Sequence, residues 1–276
     1  MKSNRRQISI PSTVLLCLLM VFTSFPLYIM LVGAFKPNAS LNSIPVDLNP
    51  FTDLTLKSII QVLEDSDIFL WMKNSFVLAL SVALLTAFIG LFAGYALARI
   101  NFRGKAFIFA TVMATMMMPK QVLMIPNFLV ADSLGLVNTM PGVILTSLAP
   151  AFSIFLCRQA ISSLPNGLLE AAEIDGCSEL GKFFKIVLPL ALPSAGAAAI
   201  FSFFAAFNNY MWQLIMISDK HLQTLSVGIA MFSQTKIANK SVQLACALIA
   251  SVPLVIIFLL TQKVFIKGAT AGAMKG

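Results

Sequence analysis

Charged residues are so sparse along this chain that the intervals between them define its elements. Uncharged runs cover 7–35, 74–98, 133–157, 186–218 and 241–262, each longer than the roughly 20 residues a helix needs to cross a bilayer. A sixth apolar stretch is interrupted: 106–119 carry no charge, Lys120 stands between Pro119 and Pro126, and 121–131 are again uncharged. We expect one helix here, from about 106 to 126, frayed or kinked by Pro119 near its outer end. The pattern predicts six membrane-crossing helices, the second beginning at Asn74-Ser75.

Between two of the long runs lies a charge-rich interval, Ser163 to Pro189, holding Glu170, Glu173, Asp175, Glu179, Lys182 and Lys185. Pro165 and Pro189 bracket it as residues that start or stop helices. Gly176 suits a helix C-terminus and Ser178 an N-cap. After Ser178 the apolar Leu180, Phe183, Phe184, Val187 and Leu188 recur at helical spacing. The interval is predicted to be a short helix, a sharp turn and a second amphipathic helix on the membrane surface. An exposed apolar face there calls for a partner to cover it.

The residues of this interval carry a resemblance. Glu170-Ala171-Ala172, three residues, Gly176, nine residues, then Ile186-Val187-Leu188-Pro189 resembles the EAA loop of ABC-importer permeases. The resemblance implies that Glu170, Ala171, Ala172, Asp175, Gly176, Ile186, Leu188 and Pro189 couple the chain to a cytoplasmic ATPase. Small Ala171 and Ala172 permit close approach, and Gly176 lets the chain turn back. The string Gly176 to Lys182 also imitates a phosphate-binding loop, but Phe183 stands where that motif needs Ser or Thr, and the preceding residues are helical and acidic.

Two further stretches are similar to permeases of the carbohydrate-uptake branch. One runs from Met116 through Pro119 and Ile125-Pro126 to Leu134-Gly135-Leu136-Val137-Asn138-Thr139; the other closes the chain as Thr270-Ala271-Gly272-Ala273-Met274-Lys275-Gly276. The resemblance is to the maltose and glycerol-phosphate uptake systems. It implies an all-α integral membrane protein, a type I importer transmembrane domain with a cytoplasmic helix-turn-helix coupling loop. It implies as partners a second permease subunit in a heterodimer, two ABC ATPase subunits and an extracytoplasmic solute-binding protein. The expected organisation is 1–35 as N-terminal segment and first span, 36–70 as outer loop, 71–264 as a five-helix core with coupling loop 163–189, and 265–276 as cytoplasmic tail. That tail is either a further ATPase contact or a frayed terminus.

Composition agrees with the membrane class: 58% of residues are hydrophobic and only 11% charged, unlike a soluble domain. Basic residues set the orientation. With the N-terminus inside, Lys2, Arg5, Arg6, Arg99, Arg103, Lys105, Arg158, Lys182, Lys185, Lys263, Lys267 and Lys275 fall on the cytoplasmic side. Only Lys36, Lys57, Lys73, Lys120, Lys220, Lys236 and Lys240 fall outside. Both termini are thus expected in the cytoplasm, and the resemblance implies the cytoplasmic membrane of a bacterium or archaeon. The net charge of +8 reflects this bias and gives no support to nucleic-acid binding. The basic start and long apolar run read as an uncleaved first span rather than a signal peptide.

Chemistry is thin. Cys17, Cys157, Cys177 and Cys246 have no metal or disulfide spacing, no cofactor is implied, and no catalytic constellation is present. The resemblance implies translocation of a carbohydrate or related polyol, driven by ATP hydrolysis in partner subunits. The alternatives are a permease for a non-sugar solute and an ion-coupled secondary transporter; uncharged spans speak against the latter. Asn208, Asn209, Tyr210 and Trp212 either line the solute path or tie helices together, since buried amides need partners. Lys120 is expected to snorkel to the outer surface, the other reading being that it faces the path. Gly90, Gly94 and Ala98 provide close helix packing, within the subunit or at a dimer seam.

Overall fold

The computed structural model describes residues 10–271, and side chains over 11–262. Lys2, Arg5 and Arg6, and residues 272–276 of the expected tail, lie outside the described residues, as do the side chains of the rest of that tail. Among the described residues all regular structure is helical. In chain order the helices are α1 Ile10–Ala34, α2 Asn38–Asn42, α3 Lys57–Asp65, α4 Ile68–Arg99, α5 Lys105–Met117, α6 Met124–Ser133, α7 Met140–Ser147 and α8 Pro150–Ser162. They continue as α9 Asn166–Ile174, α10 Glu179–Lys182, a π turn Phe183–Val187, α11 Leu188–Phe207, α12 Tyr210–Met216, α13 Leu225–Thr235 and α14 Lys240–Ala271.

Four runs are long and apolar enough to cross a membrane: Pro11–Ala34, Ile68–Arg99, Glu179–Phe207 and Lys240–Gln262. The pair α7 and α8, bent by 49°, reaches that length together. The helix expected over 106–126 instead ends at Met117, and α6 starts at Met124. Pro119 forces Met118 out of the helical region, to φ −81° and ψ 127°, and Pro126 sits in the first turn of α6, where its missing N–H costs nothing. The run 133–157 is likewise divided, because Pro150 at the start of α8 leaves Ala149 non-helical.

The second span starts at Ile68, ahead of Asn74-Ser75. Neither side chain caps a helix start there. Asn74 Nδ2 donates to the carbonyls of His221 and Gln223 at 2.8 and 2.9 Å, and Ser75 Oγ accepts from Leu225 N at 2.8 Å. Pro189 does not stop a helix either. The Leu188 N–H bonds the Phe183 carbonyl, five residues back, and this widened turn lets the helix run through the proline from Glu179 to Phe207. The amphipathic segment after Ser178 is therefore the first part of a long span.

The chain divides into two compact units. One takes the residues up to Ile68 with Ile229–Pro253. Within it the segment expected as an outer loop is partly ordered by Lys36, which is fully buried. The three donors of its ammonium reach Asp47 Oδ2 at 2.6 Å and Thr52 O and Oγ1 at 2.6 and 2.9 Å.

The other unit takes Phe69–Gly228 with Leu254–Gly276. Its core joins α4, α8 and the Glu179–Phe207 helix through Leu91, Tyr95, Cys157, Ile161, Phe183, Val187, Ala191 and Ala195. Close approach of α4 to α8 depends on two glycines. A Cβ on Gly90 would stand 1.9 Å from Ser153 Oγ, and one on Gly94 2.9 Å from the Arg158 backbone nitrogen. The small-residue stripe is thus used inside this chain.

Candidate functional site

The charged interval is built as a bolted loop. Helix α9 ends in a reverse turn: Cys177 N bonds Ala172 O at 2.9 Å, Gly176 N bonds Glu173 O at 3.0 Å, and Gly176 takes φ +78°. This is the left-handed helix end that glycine adopts without a Cβ penalty. Ser178 then caps α10, its Oγ accepting from Gly181 N at 3.2 Å. The same construction recurs after α6, where Gly135 at φ +65° ends the helix and Thr139 caps α7. Between them Asn138 Oδ1 accepts from Ser218 N and Asp219 N at 2.9 and 2.8 Å. The Leu134–Thr139 string is thus a helix stop, a bridge and a helix start.

Charges hold the loop to the span beneath it. Lys182, buried, places its ammonium 2.8 Å from Glu173 Oε2 and 2.9 Å from Glu179 Oε1. Tyr95 Oη on α4 donates to Glu179 Oε2 at 2.8 Å. One turn further along α4, Arg99 donates to the Ile161 carbonyl at 2.8 Å, and also to the Leu164 carbonyl and Asn166 Oδ1. The start of α9 is therefore fastened to α4 directly, and its end through Lys182 and Glu179. With Lys182 engaged by two carboxylates and a helix where a strand would be needed, the string from Gly176 is not built as a phosphate loop.

Of the residues expected to couple to an ATPase, Glu170, Ala171, Asp175 and Gly176 are exposed, whereas Ala172 is buried against the unit. Around them stand the exposed apolar side chains of Ile174, Leu180 and Phe184, 87%, 66% and 52% accessible. Ile186 lies half-buried in the π turn, Leu188 packs on the core at the start of α11, and Pro189 is exposed. Sequence reasoning missed Tyr95 and took Arg99 only as a marker of the inner surface. Their separation of four residues, which places both on one face of a helix, was the available signal.

A cavity of about 470 Å³ lies in the same unit, lined by Val82, Lys120, Ser147, Ala149, Phe152, Phe201, Ser202, Ala205, Ala206 and Asn209. Of the four residues expected on a solute path, Asn209 alone is on this wall. Its Oδ1 also accepts from Trp212 N at 3.4 Å, capping α12. Asn208 returns its amide to Phe204 O at 3.0 Å within its own helix. Trp212 is buried and ties α12 to α7 through Thr146 Oγ1 at 2.9 Å; Tyr210 is half-buried and off the wall. Trp212 thus ties two helices together, whereas Asn209 stands on the cavity wall. Lys120, expected at the outer surface, is on the cavity wall. Gln213, unremarked in the sequence, is fully buried, with Nε2 2.7 Å from Ala206 O and Oε1 accepting from Thr224 Oγ1.

The chain thus combines apolar helices of membrane-crossing length, a lined cavity among several of them and a charged loop fastened to α4. Comparison with known proteins gives the family. Residues 87–270 match the binding-protein-dependent transport system inner membrane component, and the chain belongs to that family. The arabinooligosaccharides transport system permease protein AraQ of Halalkalibacterium halodurans is 36% identical over 255 residues, covering 91% of each chain. The trehalose/maltose transport system permease protein MalG of Thermococcus litoralis is 35% identical over 265 residues, covering 94% of each. A solved bacterial ABC transporter involved in the import of the acidic polysaccharide alginate has a chain of the same fold. Its TM-score is 0.83 at 21% identity, over 95% of this chain and 98% of that one.

Proposed function

We propose that this chain is the pore-forming, non-catalytic permease subunit that moves a carbohydrate or related polyol into the cell, with ATP hydrolysed by partners. The observation that carries the coupling role is the loop at 163–189. It presents Glu170, Ala171 and Asp175 outward, turns at Gly176 and is fastened to α4 through Tyr95, Glu179, Lys182 and Arg99. Such a loop moves with its span rather than flexing when a partner pushes on it. The exposed Ile174, Leu180 and Phe184 supply an apolar surface for that partner, an ABC ATPase. The relatives' arabinooligosaccharide and trehalose/maltose systems support a saccharide as the solute.

In this reading the spans are α1, α4, α5 with the turn that follows it, the bent pair α7–α8, Glu179–Phe207 and α14. Both termini and the 163–189 loop face the cytoplasm, following the basic-residue bias. The 36–70 segment faces outward, where a solute-binding protein docks, the core runs over 71–264, and 265–276 is a cytoplasmic tail. A second, different permease subunit completes the pore, and a pair of ATPase subunits drives it.

The test is co-purification of the chain with its ATPase, together with solute uptake, in wild type and Glu170→Lys. A charge reversal at a contact costs several kcal/mol when it meets like charge, so the variant should lose both the ATPase and uptake while its spans still insert. Normal ATPase retention and normal uptake in the variant would remove the loop from the coupling role.

A further inference from the structure

The cavity is chemically lopsided. Its walls are mostly apolar, with the rings of Phe152 and Phe201 set edge-to-face at 5.5 Å and 81°. Its polar groups are the Ser147 and Ser202 hydroxyls and the Asn209 amide, and Lys120 is the one charged residue among those that line it. Ser147 Oγ is buried and has no hydrogen-bond partner among the described residues, a state that costs free energy unless something else fills it. Lys120 forms no ion pair among the described residues.

An exposed ammonium is content in water while the cavity is empty. A solute that enters displaces that water, and a neutral one then leaves the cation poorly solvated beside apolar walls. An anionic solute replaces the lost hydration with a charge-assisted hydrogen bond. A single sign of charge within low-dielectric walls also concentrates the opposite sign before contact. The hydroxyls and amide fit a polyhydroxylated molecule, and the ring surfaces fit its C–H faces.

We propose that this cavity takes a polyhydroxylated solute carrying a negative charge, a carboxylate or phosphate on a saccharide or polyol, with Lys120 as the residue that selects for the charge. The proposal rests on reading the cavity as part of the solute path, and it deepens that reading by naming the solute class.

The experiment uses the assembled transporter in lipid nanodiscs. Cys17 and Cys177, which are not buried, are changed to Ser, and Ser202→Cys is placed on the cavity wall as a reporter for a thiol reagent. Protection is titrated with digalacturonate, glycerol 3-phosphate, maltose and glycerol. At least one anionic probe should protect at a tenfold lower concentration than its neutral counterpart. Lys120→Gln should erase that difference and Lys120→Arg should keep it. The carboxylate and phosphate arms distinguish a uronic sugar from a sugar or polyol phosphate. Equal protection by charged and neutral probes, protection by none, or an unchanged difference in Lys120→Gln would each overturn the proposal. ATPase retention, scored on the same particles, reports on the coupling loop separately.

Discussion

Tyr95 Oη stands 2.8 Å from Glu179 Oε2, joining the end of a membrane-crossing helix to the first residue of the helix that follows the loop turn. The same carboxylate accepts from Lys182 at 2.9 Å through its other oxygen, so a tyrosine and a lysine share one acid. Tyr95→Phe should leave expression and ATPase binding near wild type but lower the uptake obtained per ATP hydrolysed. Glu179→Gln should do the same, and the double variant should be little worse than either alone. The coupling between the two sites should come to about 1 kcal/mol, below the usual value for a hydrogen bond to a charged group because Glu179 is largely exposed. Additive effects in the double-mutant cycle would show that the contact transmits nothing.

Gly176 at φ +78° offers a second measurement. Open space surrounds the place where its Cβ would be, so Gly176→Ala is strained by backbone alone, by about 1–2 kcal/mol. Gly176→Asp adds charge on the exposed turn. We expect partial loss of ATPase retention in the alanine variant and a larger loss in the aspartate variant. Equal retention in both would assign the turn a purely local role.

The contact of α4 with α8 predicts a stability defect and its repair. Gly90→Ala should destabilise the purified protein by about 1–3 kcal/mol through overpacking, read as a lower melting temperature in detergent. Ser153→Gly should recover part of that loss, because Ser153 Oγ and Cβ are the first two atoms the new methyl meets. A full-sized defect in the double variant would mean that the backbone of α8 sets the limit.

The asparagine pair should separate. Asn208→Ala is expected to transport normally, since its amide serves only its own helix. Asn209→Ala removes an α12 cap worth about 1 kcal/mol and alters the cavity wall, so uptake should fall. Asn209→Asp keeps a capping oxygen and should restore folding without restoring uptake of an anion. Matching uptake in the two alanine variants would contradict the division of the cluster.

Acid should loosen the 36–52 segment. The Lys36 hydrogen bond first, then the Asn49 backbone, hold the Asp47 carboxyl below its ordinary value of 3.8. A depressed carboxylate stabilises the folded form fully above the unfolded value, and that contribution is lost as pH falls through the folded one. Protease cleavage within 36–52 should therefore stay low from neutrality to about pH 4 and rise below it. Asp47→Asn should be cleaved more readily at neutral pH and respond less to acid.

The long apolar runs, the loop turn at Gly176 and the family were legible because each depends on local composition or on fixed spacing. Other features depended on partners distant in sequence. Asn74-Ser75 looks like a helix start, and only its bonds to 221–225 show why those polar groups lie within a helix. Pro119 and Pro189 are the same residue type, yet one ends a helix and the other is absorbed by a widened turn upstream. The sequence left Lys120 between a boundary and a path position, because nothing near it in the chain predicts the cavity wall on which it stands. The loop's fastening was hidden for the same reason, since Tyr95 and Glu179 are 84 positions apart.

The widened turn at Phe183–Val187 also sets a phase. One extra residue in a helix offsets the faces on either side of it by about 100°. Upstream of the turn that angle aims Lys182 at Glu173 on α9, and downstream it aims Ala191 and Ala195 into the core. Deleting any one residue from 183–187 would restore an ordinary helix and yet rotate one of these halves away from its contacts. The segment is thus a clockwork joint that tolerates exchanges of side chain far better than a change of length.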